Sequence, residues 1–129
     1  MNLLLDTCTA LWWWQDSPNL SGRVRECIAD SRHTLYFSSV SVMEMTTKAR
    51  LGKLTLSGQL AKNLTSAVAT SGWQELPLSI NEAQRAGALN WPHRDPFDRL
   101  LAAQALHNDL VLLSPDSAFA KLPELTTLW

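Results

Sequence analysis

Short apolar runs and longer amphipathic stretches alternate along the whole chain. The first run, residues 2–5, is too brief for a helix and uniform enough for a strand buried on both faces, as in the centre of a parallel sheet. The run at 73–76 is followed by a proline, which favours an edge strand. Strands are predicted at residues 2–5, 35–37, 73–76, 110–113 and 126–128.

Apolar residues between these runs recur at helical spacing. Ser41 and Glu44 have the spacing of a capping box, as do Ser79 and Glu82, so each glutamate is expected in the first turn of a helix. Strands that alternate with helices predict an α/β fold with helices on both faces of a mostly parallel sheet, in one domain over residues 1–129. Helices are predicted at residues 7–15, 23–30, 42–51, 60–68, 80–89 and 96–105.

The stretch at 93–105, HRDPFDRLLAAQA, predicts a helix with an acidic beginning. Asp95 has the position of an N-cap, Pro96 fits the first helical residue, and Asp98 follows three residues after the cap. Taken alone, this pattern is a capping box with Asp in place of Glu, which requires no function.

Three other acids, far apart in the sequence, change that interpretation. Strand carboxyl ends and helix amino ends share one edge of an open α/β sheet, and ligands bind there. Asp6 and Asp116 follow predicted strands, whereas Glu44 and Asp98 are expected to open helices, so the four carboxylates should meet. Clustered acids repel one another unless a cation neutralises them, and oxygen ligands without a His or Cys cluster favour Mg²⁺ or Mn²⁺ over zinc. Such an ion suits phosphodiester hydrolysis.

The composition of the chain limits the class of protein and the cellular location in which this chemistry is expected. With 46% hydrophobic and 18% charged residues, the chain is expected to form a packed globule. The formal charge of -1 offers no global attraction for nucleic acid, so any such contact must be local. The first residues lack a basic segment and Asp6 interrupts their apolar run, which argues against a signal peptide or membrane span. Cys8 and Cys27 are too few for a metal cluster, and a reducing, cytoplasmic location is expected.

Four segments together resemble PIN-domain endoribonucleases of the VapC-like toxin type: LLLDT at 3–7, SVMEMTTKARLGKL at 41–54, the stretch at 93–105, and SPDSAF at 114–119. They occur in the family's order and span nearly the whole chain. The resemblance implies a central parallel sheet flanked by helices and cleavage of RNA with Mg²⁺ or Mn²⁺. It also implies a homodimer that a small cognate antitoxin protein inhibits.

By motif, the resemblance assigns the catalytic and metal-binding roles to Asp6, Glu44, Asp98 and Asp116. Auxiliary roles are expected for three further residues. Thr7 either orients a ligand water or caps the first helix, Asp95 is a cap or a support for the acids, and Ser114 retains the hydroxyl where many relatives have Thr.

Local cations supply most of the nonspecific affinity for nucleic acid, so nearby basic residues are candidates for substrate binding. Lys48, Arg50 and Lys53 either guide the RNA backbone or form a solvated helix face. Arg94 and Arg99 flank the acidic pair, where they contact phosphate or balance charge.

Alternative functions make different demands on the sequence. A catalytically silent PIN-like binding or assembly module would use the acids only as helix caps, for which Ser, Thr or Asn would serve equally well. A phosphatase of the haloacid dehalogenase type needs a second Asp two residues after the first, where Cys8 stands. A response-regulator receiver needs an early pair of adjacent acids, which is absent. Of the consecutive tryptophans 12–14, at least one is expected in the core and another in a dimer or antitoxin interface.

Overall fold

A five-stranded parallel sheet forms the centre of the computed structural model, which describes residues 1–129. The strands are β1 Asn2–Leu5, β2 Thr34–Ser38, β3 Gln74–Leu76, β4 Val111–Leu113 and β5 Thr127–Leu128. Their order across the sheet is β3-β2-β1-β4-β5, so β1 is central and β3 lies at an edge. Leu3 is paired with Leu35 on one side and with Val111 on the other. The five expected strands and their parallel arrangement are confirmed.

Helices cover both faces of this sheet. Leu3 and Leu5 point into one apolar core, whereas Leu4 points into a second core with Leu101 and Leu112 on the opposite face. Because β1 is buried on both faces, every residue from Leu3 to Leu5 is apolar, and each such side chain contributes about 1.5–3 kcal/mol by burial. The predicted three-layer α/β sandwich is confirmed. The helices are α1 Thr7–Trp14, α2 Gly22–Ala29, α3 Ser39–Arg50, α4 Gln59–Lys62, α5 Leu64–Thr70, α6 Ile80–Ala88 and α7 Pro96–His107, and a 3₁₀ helix covers Ser117–Lys121.

Helix α3 begins earlier than the sequence indicates. The Ser38 hydroxyl accepts a hydrogen bond from the Val40 amide at 3.0 Å, so Ser38 is the N-cap and the capping box expected at Ser41 and Glu44 is wrong. The chain enters α3 directly from β2, which leaves no room for a loop before Ser41. Ser41 is instead fully buried, with its hydroxyl 2.8 Å from that of Thr7. Glu44 therefore lies in the second turn of α3 rather than at its opening.

The helix expected around residues 60–68 is two short helices. Asn63 has an extended backbone between α4 and α5, and its side chain accepts a hydrogen bond from the Ser66 amide at 3.1 Å. The capping box of Ser79 and Glu82 at the start of α6 is present as predicted. No helix of the structure combines the length and apolar character that crossing a bilayer requires.

Candidate active site

An open cavity of about 380 Å³ lies at the carboxyl edge of the sheet. The expected acids Asp6, Glu44, Asp98 and Asp116 all line it, although they come from four separate segments of the chain. Its complete lining is Asp6, Thr7, Cys8, Leu11, Glu44, Lys48, Lys53, Leu54, Asp95, Asp98 and Asp116.

Asp6 follows β1 directly and is only 6% exposed. Its carboxylate accepts hydrogen bonds from the Thr7 amide at 2.7 Å and from the Ser114 hydroxyl at 2.6 Å. The Ser114 oxygen in turn accepts the Asp116 amide at 3.1 Å, which links the ends of β1 and β4. Burial raises the pKa of Asp6 despite these bonds, and the charge of Glu44 adds to the increase. Asp6 is thus a fixed carboxylate in surroundings that disfavour its negative charge.

Glu44 projects from α3 and is likewise only 6% exposed. The Thr7 hydroxyl donates to its Oε1 at 2.6 Å, and Lys48, one turn further along α3, donates from Nζ to its Oε2 at 2.7 Å. The bond to Glu44 raises the pKa of Lys48, and the charges of Asp95 and Asp98 contribute further. The protein therefore supplies its own cation to this buried carboxylate.

Asp95 and Asp98 occupy the start of α7 as the sequence predicts. Asp95 is the N-cap and accepts the amides of Phe97 and Asp98 at 2.9 and 3.3 Å. The Asp98 carboxylate does not return to the cap but accepts a hydrogen bond from Nε2 of His93 at 2.7 Å. Burial raises the pKa of Asp98 to about 6, the charges of Asp95 and Asp6 add to this effect, and the bond from His93 opposes it.

Asp116 is exposed at the rim of the cavity, where it caps the 3₁₀ helix through a bond from the Ala118 amide at 2.9 Å. Cys8 also lines the cavity, and sequence reasoning missed it. Its Sγ lies 3.7 Å from Asp6 Oδ2, and burial raises the pKa of the thiol to about 12, so it stays protonated. The position of Cys8 in the sequence could have indicated this, because the first turn of a helix that follows a parallel strand faces this edge of the sheet.

The basic residues divide into two groups. Lys48 and Lys53 line the cavity, whereas Arg50 is exposed outside the lining and Arg94 is exposed without an ion pair. Arg99 does not face the acids, because its guanidinium donates to backbone carbonyls between residues 86 and 93. The N–H donors of Arg99 are therefore used within the protein, and contact with phosphate, one of the two roles expected for Arg99 from the sequence, stays a prediction that this geometry does not favour.

The donors around this cavity fit a hard divalent cation. They are carboxylate and hydroxyl oxygens, which Mg²⁺ and Mn²⁺ prefer. No three His, Cys, Asp or Glu side chains are grouped so that they could hold an ion between them. Mg²⁺ does not require such a cage, because it usually keeps several waters and binds one or two carboxylates together with substrate phosphates. The raised pKa of Asp6 agrees with this fit, since a nearby cation would relieve its buried charge.

Comparisons with known proteins agree with this architecture. The VapBC2 complex of Rickettsia felis, bound to a promoter DNA fragment, contains a chain that matches with a TM-score of 0.71 and 18% identity over 99% of this chain and 98% of that one. DNA-bound VapBC from Salmonella typhimurium matches with a TM-score of 0.71 and 20% identity over 99% and 97%. FitAcB from Neisseria gonorrhoeae matches with a TM-score of 0.59 and 21% identity over 100% and 97%.

These identities are low, and the likeness is one of fold. No curated protein sequence matches the chain. The family model of the PIN domain, however, matches residues 3–125, which include all four acids of the cavity. The chain therefore belongs to the PIN domain family.

Proposed function

We propose that this PIN domain is a Mg²⁺- or Mn²⁺-dependent endoribonuclease, the VapC-like toxin of a toxin–antitoxin pair. The observation that carries the proposal is the convergence of Asp6, Glu44, Asp98 and Asp116 on one cavity. PIN domains are nucleases, and the similar solved structures include VapBC complexes. A cognate antitoxin, a homodimer and a cytoplasmic location, where Cys8 and Cys27 stay free, belong to the same proposal.

The chain's own residues divide the work of phosphodiester hydrolysis. Ser114 and the Thr7 amide hold Asp6, and the Thr7 hydroxyl holds Glu44, so both carboxylates are oriented before substrate arrives. The amino end of α7 presents a positive dipole that favours an incoming phosphate. Lys53 is exposed at the rim and is available to an RNA backbone. A divalent ion bound by one or two carboxylates of the set Asp6, Glu44, Asp98 and Asp116, together with water and substrate phosphate, would supply activation of water and stabilisation of charge at phosphorus.

A binding module without catalysis is the alternative, and one observation favours it. Asp6, Asp95 and Asp116 are all N-caps, so each has a structural role that requires no chemistry. Glu44 argues against this alternative, because it lies in the second turn of α3 and caps nothing. A buried ion pair adds little to stability compared with apolar packing, so the fold alone does not explain a carboxylate that Lys48 and Thr7 must hold there.

The test is cleavage of RNA by purified protein with and without Mg²⁺ or Mn²⁺. We expect cleavage only with the ion, and we expect Asp98→Asn to lower the rate by orders of magnitude because one charged ligand is lost. The matched control is Asp95→Ser, because a serine hydroxyl accepts the same backbone bonds and should keep much of the activity.

Undiminished cleavage in excess EDTA would contradict metal dependence. An Asp98→Asn protein that melts and cleaves like the parent would identify this acid as structural only. If the parent cleaves no RNA with either ion but still binds an antitoxin, the binding module becomes the better description.

A further inference from the structure

The guanidinium of Arg99 is fully committed to the loop that precedes α7. Arginine has five N–H donors, and each of them meets a backbone carbonyl. Nη1 donates to Trp91 at 2.6 Å and to His93 at 3.0 Å. The remaining bonds run from Nε to Ala86 at 3.0 Å and from Nη2 to Gly87 at 3.5 Å and Leu89 at 2.7 Å. One side chain thus fixes both the end of α6 and the chain that leads to the active site.

Trp91 also stabilises the loop between α6 and α7. The residue is 4% exposed, and its Nε1 donates to the Ala118 carbonyl at 3.2 Å. The His93 ring packs on it with centroids 4.7 Å apart, and the Arg99 guanidinium lies 6.0 Å from the Trp91 ring. His93 therefore has a fixed backbone and a fixed ring plane, unlike an ordinary loop histidine.

The fixed ring of His93 meets one oxygen of Asp98. Nε2 of His93 lies 2.7 Å from Oδ2, and the two side chains are 27% and 14% exposed. Oδ1 of Asp98 has no hydrogen bond from the protein, so it is the oxygen left for a ligand in the cavity. We infer that His93, clamped by Arg99 and Trp91, is a positioning residue that sets the orientation of the Asp98 carboxylate. This inference rests on the proposed function, in which Asp98 is a metal ligand.

The positioning role of His93 follows from the rotational freedom that the Asp98 carboxylate would have without a hydrogen-bond partner. An aspartate at the third position of a helix can turn toward its own cap amide, as in a capping box, and its terminal torsion is broad. A hydrogen bond to one oxygen removes that freedom and directs the other oxygen. Partners of this kind around metal ligands change metal affinity by about 10–100-fold when they are removed. Because Arg99 is occupied by carbonyls, it supports Asp98 only through the loop and not through its charge.

Two substitutions at His93 separate the hydrogen bond from the packing. His93→Phe keeps a ring on Trp91 but has no donor, whereas His93→Gln loses the ring but keeps an N–H donor of similar reach. We expect His93→Phe to weaken Mn²⁺ binding, measured by titration calorimetry, by about 10–100-fold, and His93→Gln to stay close to the parent. Melting temperatures in EDTA check that both variants fold. RNA cleavage at saturating Mn²⁺ should follow the same order.

Arg99→Lys tests whether the hydrogen bonds from Arg99 to the loop before α7 are needed to position His93. A lysine keeps the charge but cannot bond five carbonyls, so Mn²⁺ binding should weaken along with the melting temperature. If that variant does not fold, the His93 pair still decides the matter. Mn²⁺ binding by His93→Phe at parental strength or tighter, in a parent that binds Mn²⁺ and cleaves RNA, would overturn the positioning role alone. A parent that neither binds Mn²⁺ nor cleaves would overturn the proposed function and this inference with it.

Discussion

Asp98 lies where the protein favours its neutral form. Burial, with the nearby charges of Asp95 and Asp6, raises its pKa from 3.8 to about 6, although the bond from His93 opposes this. The folded chain thus keeps a proton at a pH where the unfolded chain has lost it. The resulting stabilisation is complete below the unfolded pKa of 3.8 and disappears as the pH rises through about 6. Asp6 contributes with the same sign, because its pKa is also raised.

This shift predicts how the metal-free protein responds to pH. In EDTA, Asp98→Asn should melt higher than the parent at about pH 7.5, because the substitution removes a disfavoured charge. The difference should shrink as the pH is lowered to about 5, where the parent Asp98 takes up its proton. Scanning calorimetry of both proteins between about pH 5 and 7.5 measures this difference in melting temperature. A difference that stays constant with pH would mean that Asp98 keeps an ordinary pKa.

Lys48 balances Glu44 until another cation arrives. Lys48→Met should therefore lower the melting temperature in EDTA, because it leaves a buried carboxylate unpaired. The same change should tighten Mn²⁺ binding roughly tenfold, equivalent to about 1.4 kcal/mol of removed competition. The control is Lys53→Met, since Lys53 lines the cavity but has no ion pair and should leave the melting temperature unchanged. Weaker Mn²⁺ binding by Lys48→Met would indicate that the lysine helps the ion rather than competing with it.

Elements governed by local rules were predictable from the sequence. The apolar run of β1 and the Asp95–Pro96 opening of α7 act over a few residues, and both are found as expected. The start of α3 was not predictable in this way, because Ser38 and Ser41 both have side chains that can cap. Tertiary burial of Ser41 against Thr7 decides between them. The position of Glu44 in the cavity was nonetheless expected, because an error of one helical turn keeps nearly the same face.

The supports of the site were less visible than the acids. The partners of Arg99 are backbone carbonyls, which every residue carries, so no pattern of side chains reveals them. Similarly, the bond from His93 to Asp98 depends on a loop whose shape Arg99 determines. The acids themselves were predictable, since the ends of parallel strands and the starts of their helices meet by topology.

The cap of α3 also joins a buried polar network. The Ser38 hydroxyl accepts the Val40 amide and donates to Oε1 of Gln104, which is fully buried in α7. Ser38→Ala removes the cap, worth about 0.5–2 kcal/mol, and leaves a buried amide oxygen unsatisfied, which costs about 1–3 kcal/mol more. Ser21→Ala removes a half-buried cap of α2 without any buried partner and should cost only the first amount. Urea unfolding of both variants compares them, and equal losses would show that the link to Gln104 adds nothing.

Several large apolar side chains on the surface of the protein are relevant to its oligomeric state. Ile80 is 87% exposed at the start of α6, and Met43 is 63% exposed on α3. Leu78, which precedes α6, is 37% exposed, and its amide donates to the Ser39 hydroxyl at the start of α3 at 3.1 Å. Large apolar side chains left in solvent are candidates for burial between two copies of the chain.

We therefore expect light scattering to give twice the 14.4 kDa chain mass at micromolar concentration. Ile80→Asp should shift the mass toward the monomer while keeping α6, because an acid suits the first turn of a helix. Leu51→Asp, on an exposed apolar residue at the other end of α3, is the matched control. A parent that stays monomeric at high concentration would contradict the proposed homodimer.

The central position of β1 in the sheet has a consequence for synthesis on the ribosome. Asp6 emerges well before the groups that fix it, because the hydroxyl that bonds it belongs to Ser114, 108 residues later, and its own amide bonds to Leu113 in β4. Until β4 leaves the exit tunnel, β1 has a partner on only one side and the acidic cavity cannot form. A nuclease built in this way would stay inactive beside its own messenger RNA until β4 has been translated and has paired with β1.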